Sequence, residues 1–103
     1  MIKIFGRFQL EASKLERSIV FQVTVYERLD RQKGKLFAET QCSDPLQFIL
    51  QFIIREAEDF DSLLQKFLKQ LDHRGFSPVR YRKRAGNKWE EWIPLNSKEN
   101  KQK

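Results

Sequence analysis

The sequence predicts an α+β domain: an antiparallel sheet of three N-terminal strands plus a C-terminal β-hairpin, packed on one long or broken helical segment. Three observations lead to this order, β-β-β-α-β-β. Residues 1–42 carry runs of alternating apolar and polar side chains, the two-residue period of half-buried strands. From Asp44 to Gly75 apolar residues recur at steps of three and four, the period of a helix. Beyond Gly75 two further strand-like runs flank a Gly-Asn turn signal. An apolar sheet face covered by an apolar helix stripe is the two-layer solution for such a pattern.

In the first strand, Ile2, Ile4, Phe8, Leu10 and Ala12 are expected on one face, with Lys3, Arg7, Gln9 and Glu11 on the other. Phe5 then falls on the polar face. Gly6 falls on the apolar one, where a glycine marks a bulge or a close backbone approach. Ser13–Arg17 reads as a polar connection. Ser18–Leu29 is a second strand, with Ile19, Phe21, Val23 and Val25 opposite in facing to Val20, Gln22, Thr24, Tyr26 and Arg28. Asp30–Gly34 is a turn cluster, and Lys35–Cys42 alternates again. The short connections favour an antiparallel meander.

The helical stretch has a legible start in Asp44 as cap, Pro45 at the first position and Gln47 three residues after the cap. Its stripe is Leu46, Ile49, Leu50, Ile53, Ala57, Phe60, Leu64, Phe67, Leu68 and Leu71. His73 and Arg74 complement the negative helix end, and Gly75 suits a left-handed cap. One unbroken helix over residues 45–73 would span roughly 43 Å at about 1.5 Å per residue. A compact domain of this length is only about 33 Å across. A break is therefore expected between Glu58 and Ser62, where Asp59, Asp61 or Ser62 can cap a second helix. A strand over Gln47–Ile54 is the competing reading, from its Phe and Ile content, and the proline-plus-cap entry favours helix over it.

Val79–Arg84 and Lys88–Leu95 are expected to form a hairpin across Ala85-Gly86-Asn87. A three-residue turn would set Arg82 opposite Glu90 and Tyr81 opposite Glu91. Residues 1–95 then make one domain, with 96–103 a charged, flexible tail.

With 40% apolar residues and thirteen aromatics the chain can build a core. No apolar run approaches the ~20 residues a membrane-spanning helix needs. The single cysteine, Cys42, leaves no internal disulfide and points to a reducing, cytoplasmic setting. Net charge is +6, unevenly spread: residues 1–43 carry +3, 44–75 carry −2 and 76–103 carry +5.

Catalysis finds little support. There is one histidine, one cysteine, no glycine-rich phosphate loop and no His or Cys metal spacing, so neither enzyme activity, cofactor nor metal is expected. His73 at a helix end suits the helix dipole, and Cys42 reads as a small apolar side chain. Glu56, Glu58, Asp59 and Asp61 read as caps and a solvated face.

Two basic-aromatic constellations carry the functional expectation. The first is Arg80, Tyr81, Arg82, Lys83 and Arg84, followed by Lys88, Trp89 and Trp92. Its cations suit a phosphate backbone, and its rings suit unpaired bases. The second is the outer face of the first strands, bearing Lys3, Phe5, Arg7, Tyr26, Arg28, Lys35 and Phe37. Together they lead to a small, basic, non-catalytic nucleic-acid-binding accessory domain, with single-stranded DNA or RNA favoured. The alternative is an assembly subunit, a homodimer or a partner of another protein, joined through Phe48, Phe52 and Ile54, which exceed what one helix stripe requires.

Overall fold

The computed structural model describes residues 1–30, 32–43 and 49–95, apart from the side chains of 41–43, 49 and 50. The described residues form an α+β fold, with a seven-stranded antiparallel sheet and one helix. In chain order the elements are β1 (Ile2–Lys14), β2 (Arg17–Arg28), β3 (Leu36–Ser43), β4 (Ile49–Ala57), α1 (Phe60–His73), β5 (Ser77–Ala85), β6 (Lys88–Trp89) and β7 (Ile93–Pro94). The strands lie side by side as β4-β3-β2-β1-β5-β6, with β7 also paired to β5.

The sequence expectation fails at β4. Residues Ile49–Ala57 form a strand, so the order is β-β-β-β-α-β-β-β. The run ILQFIIREA is apolar enough to satisfy a period of three to four or of two. Long-range pairing decides between them: Thr40 lies opposite Phe52, Ala38 opposite Ile54 and Leu36 opposite Ala57. Phe52 and Ile54 are 1% and 3% exposed, buried within the single chain. The apolar excess that suggested an interface at these two positions is thus a core strand. Phe48 and the cap signals Asp44, Pro45 and Gln47 lie outside the described residues, as do Arg31 within the Asp30–Gly34 turn and the 96–103 tail.

The helix begins inside the expected Glu58–Ser62 window, although the break separates a strand from a helix. Asp59 is the N-cap, and its carboxylate accepts from the Ser62 N–H at 2.8 Å. At the other end Gly75 has φ +84°, as its sequence position suggested. The Gly75 N–H donates to the Asp72 carbonyl and the Phe76 N–H to the Leu71 carbonyl, the paired bonds of a Schellman ending. Phe76 and Leu71 are both buried, which supplies the accompanying apolar contact.

Directly opposed residues of an antiparallel pair share a face. One face of the sheet, bearing Phe8, Leu10, Ala12, Phe21, Val23, Val25, Phe52 and Ile54, packs on Leu63, Leu64, Phe67 and Leu71 of α1. Leu63, which fell outside the expected stripe, is fully buried. The rings of Phe21, Phe52, Phe67 and Phe76 meet edge to face, with centroids 5.3–6.4 Å apart. The opposite face carries no helix among the described residues, and it positions the site.

A bulge in β1 changes what that open face carries. Ile4 lies opposite Tyr26 and Gly6 opposite Val25, leaving Phe5 as the extra residue. A bulge was one expectation for Gly6. Its consequence overturns the predicted facing: Ile2 and Ile4 fall on the open face with Arg28 and Tyr26, while Lys3 moves to the helix side opposite Glu27.

Both edges of the sheet are covered. Lys66, Gln70 and Arg74, spaced four apart along the helix side, donate to the carbonyls of Glu56, Ile53 and Gln51 on β4. The far edge of β5 is met by the short β6 and β7. No helix among the described residues is long and apolar enough to cross a membrane.

Candidate nucleic-acid interface

Strand alternation sorts the Arg80–Arg84 run into two groups. Arg80 and Arg82 lie opposite Glu11 and Gln9 on the open face, and Arg84, two residues on, joins them. Tyr81 and Lys83 point to the helix side, opposite Leu10 and Phe8. Tyr81 packs near Phe60 with ring centroids 6.3 Å apart, and the Lys83 ammonium sits 4.9 Å from the Phe60 ring. The five residues expected to act together are therefore three.

The hairpin that follows closes more tightly than predicted. Ala85 lies opposite Lys88 and Arg84 opposite Trp89, so the loop is the two residues Gly86-Asn87, with Gly86 at φ +63°. Lys88, opposite Ala85, shares the helix-side facing. The Glu90 N–H still donates to the Lys83 carbonyl at 2.9 Å, after which the chain leaves β5 and rejoins it at Ile93, opposite Tyr81. The expected Arg82–Glu90 and Tyr81–Glu91 pairs do not form. Among the described residues neither Glu90 nor Glu91 makes an ion pair.

The two tryptophans interleave with the three arginines. The guanidinium carbons of Arg80 and Arg82 are each 4.4 Å from the Trp92 ring centre, and those of Arg82 and Arg84 are 5.3 and 5.5 Å from Trp89. The sequence Arg80, Trp92, Arg82, Trp89, Arg84 is thus one ladder of alternating planar groups, held by cation–π attraction. Both indoles are half-buried and neither belongs to the buried core. One edge of each guanidinium is fixed: Arg80 Nε donates to Glu11 at 2.6 Å, Arg82 Nε to Gln9 Oε1 at 2.8 Å and Arg84 Nε to the Gly86 carbonyl at 3.1 Å. The remaining N–H groups keep the planar fork that matches phosphate oxygens.

Glu11 is the one carboxylate bonded to this row among the described residues. Hydrogen bonds from the Ser18 hydroxyl and then from Arg80, with the Arg80 charge, hold its carboxyl below the ordinary glutamate value, against the opposing effect of burial. It stays ionised and compensates Arg80. Arg82 and Arg84 have no carboxylate of their own among the described residues.

The second constellation is partly assembled. Arg7 lies on the open face opposite Thr24. Arg84 stands one position beyond the last β1–β5 pair, Phe8 with Lys83, which brings it beside Arg7. Tyr26 and Phe37 lie opposite one another with rings stacked at 5.2 Å, and the Arg28 guanidinium covers Phe37 at 4.1 Å. Lys35 precedes β3, and its carbonyl accepts from the Arg28 N–H at 2.8 Å. Lys3 is removed by the bulge and pairs with Glu27 at 3.8 Å.

Sequence reasoning missed Gln9 as the partner of Arg82 and the open facing of Ile2 and Ile4. The glycine after Phe5 was the available signal for the latter. The acidic cluster is used structurally: Asp59 caps α1 and Glu58 accepts from the Gly34 N–H at 2.8 Å. No group of three or more His, Cys, Asp or Glu among the described residues is arranged to hold a metal ion. His73, exposed in the last helical turn, lines an open groove of about 410 Å³ between α1 and β4 with Lys66, Lys69 and Gln70. Comparison of the chain with protein-family models, curated proteins and solved structures found no match in any of the three.

Proposed function

We propose that this chain is a small, non-catalytic nucleic-acid-binding accessory domain that engages single strands on its open sheet face. The observation carrying this reading is the Arg80–Trp92–Arg82–Trp89–Arg84 ladder, in which one of three arginines has a carboxylate partner. The guanidinium forks supply phosphate contacts, and the tryptophans keep them aligned in a row along β5. Arg7 beside Arg84 extends the row across the sheet. Like charges placed side by side repel, and a polyanion laid over them removes that cost. The cytoplasmic setting argued from the single cysteine suits such a partner.

Titration with fluorescent single- and double-stranded oligonucleotides at two salt concentrations tests the proposal. Affinity that falls steeply with salt, and is tighter for the single strand, is the expected result. Absence of salt-sensitive binding to any DNA or RNA at low salt would overturn it.

A further inference from the structure

The bulge at Phe5 has a costly outcome unless the surface it makes is used. Ile2 and Ile4, which strand alternation would bury, are 57% and 48% exposed on the open face. Ile4, Tyr26 and Phe37 follow one another across β1, β2 and β3 in register, and Ile2 lies in the next row beside Arg28. The result is a contiguous apolar and aromatic patch at one corner of the sheet, larger than a scattered surface residue. It has a cation at each end: Arg28, stacked on Phe37, on one side, and Arg7 with Arg84 on the other.

We propose that this corner, formed by Ile2, Ile4, Tyr26, Phe37 and Arg28, is a base-stacking subsite for unpaired nucleic acid. The inference rests on the function proposed above and adds where the unpaired bases sit and the path the strand takes to them. Exposed Ile2 and Ile4 beside the Tyr26 ring offer apolar surface to the faces of bases, which a duplex hides within its own stack. The flanking arginines fit the phosphates on either side of the stacked bases. The corner also continues the ladder: the backbone tracks Arg80, Arg82, Arg84 and Arg7, then the bases turn onto Tyr26 and Ile4. At about 3.4 Å per strand residue and about 4.8 Å between strands, Arg82 and Tyr26 are roughly 17 Å apart, within reach of a short oligonucleotide.

The experiment uses the full chain and three fluorescent probes: a single-stranded oligonucleotide of about twelve nucleotides, the same backbone with abasic sites throughout, and the corresponding duplex. The wild type is expected to bind the intact single strand about ten-fold or more tighter than the abasic one. Two variants locate the difference, each with its thermal melt recorded. Ile4→Lys, at an exposed position, adds a cation: on a purely electrostatic surface it strengthens binding to both single strands. On a stacking surface it erases the preference for intact bases, and Tyr26→Ala does the same without a charge change. Equal, salt-sensitive binding of intact and abasic strands by the wild type overturns the subsite while leaving the proposed function standing. Binding of none of the probes overturns both. If sedimentation then shows a self-associated wild type and a monomeric Ile4→Lys, the corner is a contact between copies of this chain.

Discussion

The guanidinium of Arg82 lies 4.4 Å from the ring centre of Trp92, with its Nε held by Gln9 at 2.8 Å. Arg82 is therefore clamped from two directions, by a ring over its plane and an acceptor at its edge. Replacing Arg80, Arg82 and Arg84 together by Ala is expected to weaken binding across unrelated sequences. It should also flatten the salt dependence, by roughly 0.7–0.9 in the log–log slope for each phosphate that the variant no longer neutralises. Trp92→Ala is expected to loosen the ladder and to weaken binding of single strands and duplexes alike, because the ring aligns Arg80 and Arg82 rather than stacking a base. Salt titrations of both variants, beside circular dichroism, measure these effects. An unchanged slope in the triple variant would remove the ladder from the interface.

Phe52 separates the core reading of β4 from an interface reading. It is enclosed by Phe21, Phe67 and Phe76. Phe52→Ala is expected to destabilise the monomer by about 3–5 kcal/mol in a denaturant titration. Its exposed neighbour Ile53, changed to Ser, should cost under about 0.5 kcal/mol. If Phe52→Ala altered only the oligomeric state, the position would be an interface after all.

The two ends of α1 make separable contributions. Asp59→Ala removes the acceptor for the Ser62 N–H and is expected to cost about 1 kcal/mol. Gly75→Ala places a side chain at φ +84° and is expected to cost about 1 kcal/mol through backbone strain alone, since the nearest atom to an added Cβ is the flexible Lys14 side chain at 3.5 Å. Thermal melts of the single and double variants report both costs.

The β1–β2 turn is strained in a way that can be relieved. Leu15 and Glu16 both have positive φ, 52° and 64°, between the opposed residues Lys14 and Arg17. That is a two-residue turn of the kind Asn-Gly fills. Changing Leu15 to Asn and Glu16 to Gly is expected to raise stability by about 1–2 kcal/mol. It also removes a leucine that is 84% exposed. A lower melting temperature would contradict this account of the turn.

Glu11 ties stability to acid pH. Its carboxyl is held below the ordinary value by the Ser18 hydroxyl and Arg80. A depressed carboxyl contributes stability that is present above its unfolded-state pKa and lost as pH falls through the folded value. Glu11→Gln is therefore expected to melt lower than wild type near neutrality, with the difference shrinking as the solution is acidified below the usual glutamate range. Parallel melting curves across that range are the check, and a constant difference would mean that Glu11 acts through packing alone.

Features set by local chemistry are legible along the chain. The β1, β2 and β3 strands follow from two-residue alternation, the helix end from Gly75, and the start of α1 from the acidic and hydroxyl residues at 58–62. Each depends on a few neighbours and on backbone preferences that act wherever the residues occur. The basic character of the C-terminal third and the nearness of its arginines to two tryptophans were equally legible. Tertiary structure decided the rest. Whether ILQFIIREA coils or extends depends on the partner it finds, and β3 supplies a ladder that outweighs the local period. A single extra residue at Phe5 reverses the facing of everything before it, because a strand's side chains alternate strictly. Pairing with β1 then selects which of the residues from Arg80 to Arg84 share a face with Arg7, a choice that adjacency in sequence obscures. The site is a product of register, and register is fixed by contacts between residues far apart in the chain.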